Sequence, residues 1–211
     1  RCIMKNNEKG LVVLDWAYET ALNGIPKVSE PLEEFVQSYV DRYGRTEKAI
    51  NKMASAQKLK CTATGFLTGL GGLITLPVTL PTDLVSSLYM EVRMIASIAC
   101  LRGYNINSDE VKALVFCCLV GNAVGDIIKN VGIKTAQKLA VKKLLPLLTK
   151  EMVKKINQAV GFRLLTKGGS KGLVNLGKAV PVLGGIVGGT WNFAEVTFYA
   201  KWAKKMFNEN A

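Results

Sequence analysis

The sequence predicts an all-α protein built as a single compact helical domain. Apolar residues make up 49% of the 211 residues, enough for a hydrophobic core in one domain of ordinary size. Helix-forming residues dominate, and no stretch alternates apolar and polar residues as a half-buried strand does. Two glycine/proline-rich segments are predicted to form hairpin-like bends. Residues 1–45 are expected to be N-terminal helices and residues 46–211 the main helical domain, together one folding unit.

Glycine and proline delimit the predicted N-terminal helices. Residues 1–9 are predicted to be a frayed start, and a helix is expected over 11–22, where an Asn-Gly-Ile-Pro sequence ends it. Pro31 is predicted to occupy the first position of a second helix over 31–43, because proline fits best where no backbone N–H is needed. Gly44 is expected to stop that helix.

Residues 61–82 are the longest uncharged run, and they follow a helix predicted to begin at Thr46. The run is long enough to span a bilayer as a helix. Its glycines weaken a helix and its prolines end one, so we expect a buried hairpin or a shallow membrane insertion instead. A similar segment is expected at 180–189. The residues that define these hairpin-like segments are Gly65, Gly69, Gly71, Gly72, Pro77 and Pro81 in the first, and Gly184, Gly185, Gly188 and Gly189 in the second.

Two apolar helices are predicted after the first of these segments. Residues 83–101 are strongly apolar, and residues 103–105 form a turn after them. Ser108 or Asp109 is expected to cap the next helix, since short polar side chains accept hydrogen bonds from the first backbone N–H groups. The body of that helix, residues 113–120, is apolar on all sides, which predicts a central position in the fold.

Three helices are predicted in the C-terminal half. Residues 133–145 are amphipathic, with lysines every four residues on one face. Pro146 is expected to break or kink this helix because proline lacks a backbone N–H. Two further helices are predicted over 151–165 and 191–207.

Positive charge is concentrated in the C-terminal half. The net charge is +12, and residues 129–178 contain twelve basic residues and one acid, Glu151. A localised positive face suits an anionic membrane surface or a nucleic acid. Nucleic acid is disfavoured because Phe162 is the one aromatic residue in this segment and stacking is not provided. The predicted lipid-binding residues are Lys134, Lys138, Lys142 and Lys143 here, and Trp202, Lys204 and Lys205 in the last helix, where a ring beside ammonium groups suits a membrane interface.

The residue types present limit the chemistry that the chain can perform. It has no histidine, which excludes catalysis by a histidine base. Five cysteines without a CxxC motif do not predict a zinc site, and neither a metal nor a cofactor is expected. Cysteines within apolar segments favour a reducing compartment. Asp83 and Glu91 lie in an apolar helix and are the candidate catalytic residues, but we interpret Asp83 as a helix-capping acid.

Three motifs carry a resemblance to a known family. They are Thr-Gly-Leu-Gly-Gly-Leu at 68–73 with Pro77, Pro81 and Asp83; Arg-Met-Ile-Ala-Ser-Ile-Ala at 93–99 leading to the turn at 103–105; and Pro-Val-Leu-Gly-Gly at 181–185 continuing through Gly188 and Gly189 to Asn192. With these motifs in this order, residues 46–207 resemble the EcsC protein family. The family usually shows Tyr-Gly-Tyr-Asp at the turn, where this chain has Arg-Gly-Tyr-Asn. The resemblance implies a bacterial origin and an α-helical fold.

The function expected from these features is association rather than a defined reaction. The chain is predicted to bind peripherally, on the cytoplasmic side, to an anionic membrane surface or a membrane protein complex through its basic face. One alternative is a hydrolase or lipid-modifying enzyme that uses Asp83 or Glu91. Another is a pore-forming effector in which the glycine-rich segments insert into a bilayer. Binding needs the charge, an enzyme needs a polar pocket, and a pore needs to release vesicle contents.

Overall fold

A helix over Thr82–Leu101 lies at the centre of the structure, a computed structural model that describes residues 2–62, 82–133, 141–166 and 189–208. The predicted all-α class is confirmed, since the described residues contain helices and no strand. The α-helices in these ranges are α1 (Cys2–Asn23), α2 (Leu32–Tyr43), α3 (Glu47–Thr62), α4 (Thr82–Leu101), α5 (Asp109–Leu119), α6 (Val124–Asn130), α7 (Val141–Leu144), α8 (Lys150–Thr166) and α9 (Gly189–Met206).

The two hairpin-like segments lie almost entirely outside the described residues. The residues concerned are Gly65, Gly69, Gly71, Gly72, Pro77, Pro81, Gly184, Gly185 and Gly188. Gly189 is described as the first residue of α9.

Helix α4 is buried on all of its faces over most of its length. Every residue from 88 to 99 is buried, including Glu91, Arg93 and Ser97. Helices α1, α2, α3, α5 and α9 all pack against it. Its few polar side chains are themselves buried, so a central position is the arrangement that covers every face of the helix.

Helix α5 confirms the prediction of a second central helix. Ser108 is its N-cap, and the Ser108 Oγ accepts a hydrogen bond from the Val111 N–H at 3.3 Å. Residues 113–119 are all buried. The helix packs mainly against α4, α8 and α9, and it also contacts α6. Its apolar circumference is therefore covered by neighbouring helices.

Glycine and proline lie at helix boundaries, at or within one residue of where they were expected. Gly24 and Gly44 adopt φ values of +76° and +65°, a left-handed conformation that glycine takes without steric cost. Pro31 is the N-cap of α2 rather than its first residue, one position from the prediction. Pro146 lies in a 3-10 turn over Leu145–Leu147, which confirms the break between α7 and α8.

Three features of the fold differ from the sequence prediction. Residues 2–9 are helical rather than a frayed start, because α1 begins at Cys2, and its contact with α8 at Gly10 supports this first part of the helix. The predicted helix over 133–145 is described only in part. Ile133 is not helical, α7 covers Val141–Leu144, and residues 134–140 lie outside the described ranges. Helix α6 was not predicted, and it buries Ile127 and Ile128.

Helices α1 and α8 cross at a pair of glycines. A β-carbon on Gly10 would lie 2.5 Å from the carbonyl oxygen of Gly161 and 2.9 Å from its Cα. A β-carbon on Gly161 would lie 3.1 Å from the carbonyl carbon of Gly10. The backbones are therefore close enough that a side chain at Gly10 has no room, and α8 is held against the core by this approach.

We expect Gly10→Ala to lower the free energy of unfolding by about 2 kcal/mol, because backbone atoms that cannot move aside block the new methyl group. The helix propensity of alanine, worth about 1 kcal/mol over glycine, offsets only part of this cost. Urea unfolding measures the change. The exposed neighbour provides the control, since Lys9→Ala should leave stability within about 0.5 kcal/mol of the parent. Unchanged stability of Gly10→Ala would show that the two helices do not approach this closely.

Candidate functional site

The described lysines of the basic segment form a surface on the turn from α7 to α8. We define the basic surface as Lys142, Lys143, Lys150, Lys154 and Lys155, all of which are exposed. With Glu151, residues 142–155 carry five lysines and one acid, a net charge of +4. The Lys155 ammonium lies 3.2 Å from the Glu151 carboxylate. Among the described residues of this surface, this contact is the ion pair that the structure shows.

Thr149 determines where α8 begins and hence where its lysines point. Its hydroxyl accepts a hydrogen bond from the Met152 N–H at 3.3 Å, and its carbonyl accepts one from the Val153 N–H at 3.0 Å. This is the arrangement of an N-cap. The apolar residues of α8 then face the core. Four of them are buried: Val153, Ile156, Val160 and Leu164. The lysines are left on the opposite, solvated face.

The turn between the two helices presents an apolar tip. Leu144 and Leu148 are 1% and 8% exposed, while Leu147 is 49% exposed. Pro146 is also exposed. The Leu148 N–H donates to the Leu145 carbonyl at 3.2 Å, which closes the 3-10 turn. The middle of the turn therefore projects into solvent from two buried leucines.

The candidate residues on α9 have different surroundings. Trp202 is half-buried, and the Lys205 ammonium lies 5.0 Å from the centre of its ring. The Lys204 ammonium lies 3.4 Å from Glu47 and donates a hydrogen bond to Asn51. Burial, with a smaller effect of the nearby Arg102 charge, lowers the pKa of Lys204. Lys204 thus joins the ends of α3 and α9, whereas the exposed Lys205 faces solvent.

The structure does not bring all the predicted lipid-binding residues onto one helix. Lys142 and Lys143 belong to the basic surface, and Lys134 and Lys138 lie outside the described residues. Helix α8 packs against α1, α5 and α6, and helix α9 packs against α3, α4 and α5. Lys142 and Lys143 lie on α7, and Trp202, Lys204 and Lys205 lie on α9, so the two groups occupy different helices.

The two candidate acids both belong to α4. Glu91 is 7% exposed and lies within the buried length of the helix. Asp83 is the second residue of α4, which is the position of a first-turn acid, and its side chain lies outside the described residues. A carboxyl group as buried as Glu91 is kept from bulk water by the core around it.

The buried guanidinium of Arg93 donates hydrogen bonds to two backbone carbonyls. Its Nη1 donates to the Ala21 carbonyl and its Nη2 to the Glu30 carbonyl, both at 2.7 Å. Its guanidinium also lies 5.3 Å from the centre of the Phe35 ring. Ala21 is in the last turn of α1, where carbonyls lack a helical partner. Arg93 therefore ties the end of α1 and the start of α2 to the central helix.

Arg93 belongs to a polar seam on one face of α4. We define the polar seam as Tyr89, Arg93 and Ser97, which are spaced four residues apart. The Tyr89 hydroxyl lies 2.7 Å from the Ser29 hydroxyl, and the Gln57 amide nitrogen donates to the Ser97 hydroxyl at 3.3 Å. Burial raises the pKa of Tyr89, so it acts as a neutral hydrogen-bonding group. The spacing of the seam was visible in the sequence, but its partners were not.

Two cysteines of α5 are packing residues. Cys117 and Cys118 are fully buried free thiols in α5. Burial raises the pKa of the Cys117 thiol to about 12 and that of Cys118 well above its usual value. A thiol in this state is a poor nucleophile and a poor metal ligand. Within the described part of the chain, no cluster of three or more cysteines and acids could hold a metal ion.

Comparison with known proteins places most of the chain in one family model. The model of the EcsC protein family matches residues 32–209, a range that begins at the first residue of α2 and includes all of α9. No curated protein and no solved structure matches the chain. Helix α1 precedes the matched region, although it packs against α4 and α8 in the core. Of the helices that the structure describes, none has both the length and the hydropathy to cross a bilayer.

Proposed function

The chain belongs to the EcsC protein family, and we propose that it associates peripherally with an anionic membrane surface through its basic surface. The observation that carries the proposal is the set of five exposed lysines on α7 and α8 beside a single acid. A lysine near an anionic bilayer contributes roughly 1 kcal/mol of attraction. Five such lysines therefore supply enough attraction for reversible binding.

The geometry of α8 supports simultaneous use of these lysines. Its apolar face is buried against the core, so Lys150, Lys154 and Lys155 project from the opposite side of a helix that packing holds in place. A flat, anionic surface is the partner that several lysines on one helical face can meet together. Because lysine side chains are long and flexible, contact needs no further ordering of the backbone.

We include Trp202 and Lys205 in the proposed association as a second point of contact. A half-buried indole beside an ammonium group suits the headgroup region of a bilayer, where aromatic rings are enriched. Lys204 would contribute after release from Glu47. We assign the association to the cytoplasmic side, because the three cysteines described are free thiols and the cytoplasmic leaflet carries anionic lipid.

Sedimentation with lipid vesicles tests the proposal. The protein is expected to pellet with vesicles that contain phosphatidylglycerol and not with vesicles of phosphatidylcholine alone. Raised salt should release it, because the screening length falls to about 3 Å at 1 M ionic strength. Vesicles filled with a dye should keep their contents, which separates association from pore formation. Failure to pellet with anionic vesicles would refute the proposal.

A further inference from the structure

We infer that the α7–α8 turn is the point at which the protein enters the bilayer, with Pro146 and Leu147 passing below the lipid headgroups. This inference rests on the proposed function, and it specifies which atoms meet the acyl chains and how the protein is oriented. The basic surface would bind lipid phosphates around that point. The apolar tip would then be the lowest part of the bound protein.

The first argument is the exposure of the tip. Leu147 and Val12 are the large apolar residues that are strongly exposed in the described ranges, at 49% and 43%. An isolated exposed apolar residue is common on protein surfaces and needs no explanation. Leu147 differs because an exposed proline precedes it and both lie at the end of a turn that projects from the core. Val12 lies on the side of the long helix α1.

The second argument is that the turn is held in place. Leu144 and Leu148 are buried on either side of the tip, and the Leu145 carbonyl accepts the hydrogen bond that closes it. Pro146 fixes its own backbone φ angle. The tip is therefore presented in one conformation, and insertion costs little conformational entropy.

The third argument is the charge around the tip, which identifies its partner. Lys142 and Lys143 precede Leu147 by four or five residues, and Lys150 follows it by three. No acid occurs between Lys142 and Lys150. An apolar tip with exposed lysines on both sides of it in the chain is complementary to hydrocarbon beneath a layer of phosphates, the arrangement that interfacial segments use. A protein partner would need about 800 Å² of matching surface, far more than one leucine and one proline provide.

The test compares Leu147→Ser with Val12→Ser in the full chain. Vesicles of phosphatidylcholine and phosphatidylglycerol are titrated at low and at raised salt, and the partition coefficient is measured by sedimentation. Leu147→Ser should lower the partition coefficient about five- to ten-fold at both salt concentrations, because the lost contribution is hydrophobic and is not screened. Val12→Ser should leave it unchanged. Val12 is two residues from Gly10, which packs against Gly161, and Gly161 lies about 16 Å along α8 from Lys150. Val12 is therefore remote from the tip.

A second variant gives a positive signal. The tryptophan introduced by Leu147→Trp should strengthen binding, and lipids with brominated acyl chains should quench its fluorescence beyond the quenching seen in the parent protein. Leu147→Ser and Val12→Ser should have the same melting temperature as the parent protein, and circular dichroism measures it. If the parent binds in a salt-sensitive way and Leu147→Ser binds equally well, the insertion point is wrong and the proposed function stands. If the parent does not bind at all, both are refuted.

Discussion

Replacing Arg93 by methionine is expected to lower the free energy of unfolding by about 4 kcal/mol. Arg93 donates two hydrogen bonds of 2.7 Å to backbone carbonyls, and its side chain is 4% exposed. A hydrogen bond from a charged group contributes about 1.5–3 kcal/mol, and a buried acceptor left without a donor cannot turn to water. Methionine restores the apolar volume, so the loss reports the polar contacts rather than a cavity.

Urea unfolding of Arg93→Met measures this loss, and two variants make the result specific. Arg45 also donates to two carbonyls at a helix end, those of Cys100 and Leu101, but it is exposed. Arg45→Met should therefore cost less than about 1 kcal/mol, since water replaces the guanidinium. The loss in the free energy of unfolding for Arg93→Lys should fall between these two values, because one ammonium group cannot donate to both carbonyls with the geometry of a guanidinium. Equal losses for Arg93→Met and Arg45→Met would show that burial of the contact is unimportant.

Replacing Lys142, Lys143 and Lys150 together by glutamine is expected to weaken binding to anionic vesicles about 100-fold. Each lysine contributes roughly 1 kcal/mol, and 1.4 kcal/mol corresponds to a factor of ten. All three are exposed, so stability should hardly change. Removing the positive charge of Lys150 from the first position of α8 also relieves an unfavourable interaction with the helix dipole. Vesicle sedimentation at moderate salt, about 0.1 M, measures the binding.

The matched control removes the same charge elsewhere. Lys27, Lys48 and Lys52 are exposed on the part of the chain that contains α2 and α3. Their triple replacement by glutamine lowers the net charge by the same three units and should change binding by less than about three-fold at moderate salt, where charges beyond about 10 Å are screened. If both triple variants lose binding equally, overall charge governs the association and the basic surface has no special role.

Local chemistry allowed much of the fold to be predicted. Gly24 and Gly44 end helices because a left-handed residue is needed there, and Ser108 caps α5 because its hydroxyl reaches a nearby backbone N–H. Proline at 146 interrupts a helix for lack of a donor. These effects act within about four residues, so the sequence alone is sufficient to place them. The same holds for the all-α class and for the burial of α5.

The candidate site could be predicted only in part. The concentration of lysines between 129 and 178 is a property of the sequence. Which lysines are exposed depends on how α8 packs, and the role of Lys204 depends on the position of Glu47, 157 residues earlier. Leu147 is exposed because Leu144 and Leu148, on either side of it, are buried in the core. Five apolar residues in a row do not themselves indicate which one faces water.

The sequence by itself therefore determined the helical class, the helix ends and the uneven charge of this protein. The tertiary structure decided three further features: the approach of Gly10 to Gly161, the carbonyl partners of Arg93, and the projection of Leu147. The physical reason is the range of the interactions. Caps, breaks and propensities act between neighbours in the chain, whereas close packing and burial are set by helices that meet only after folding.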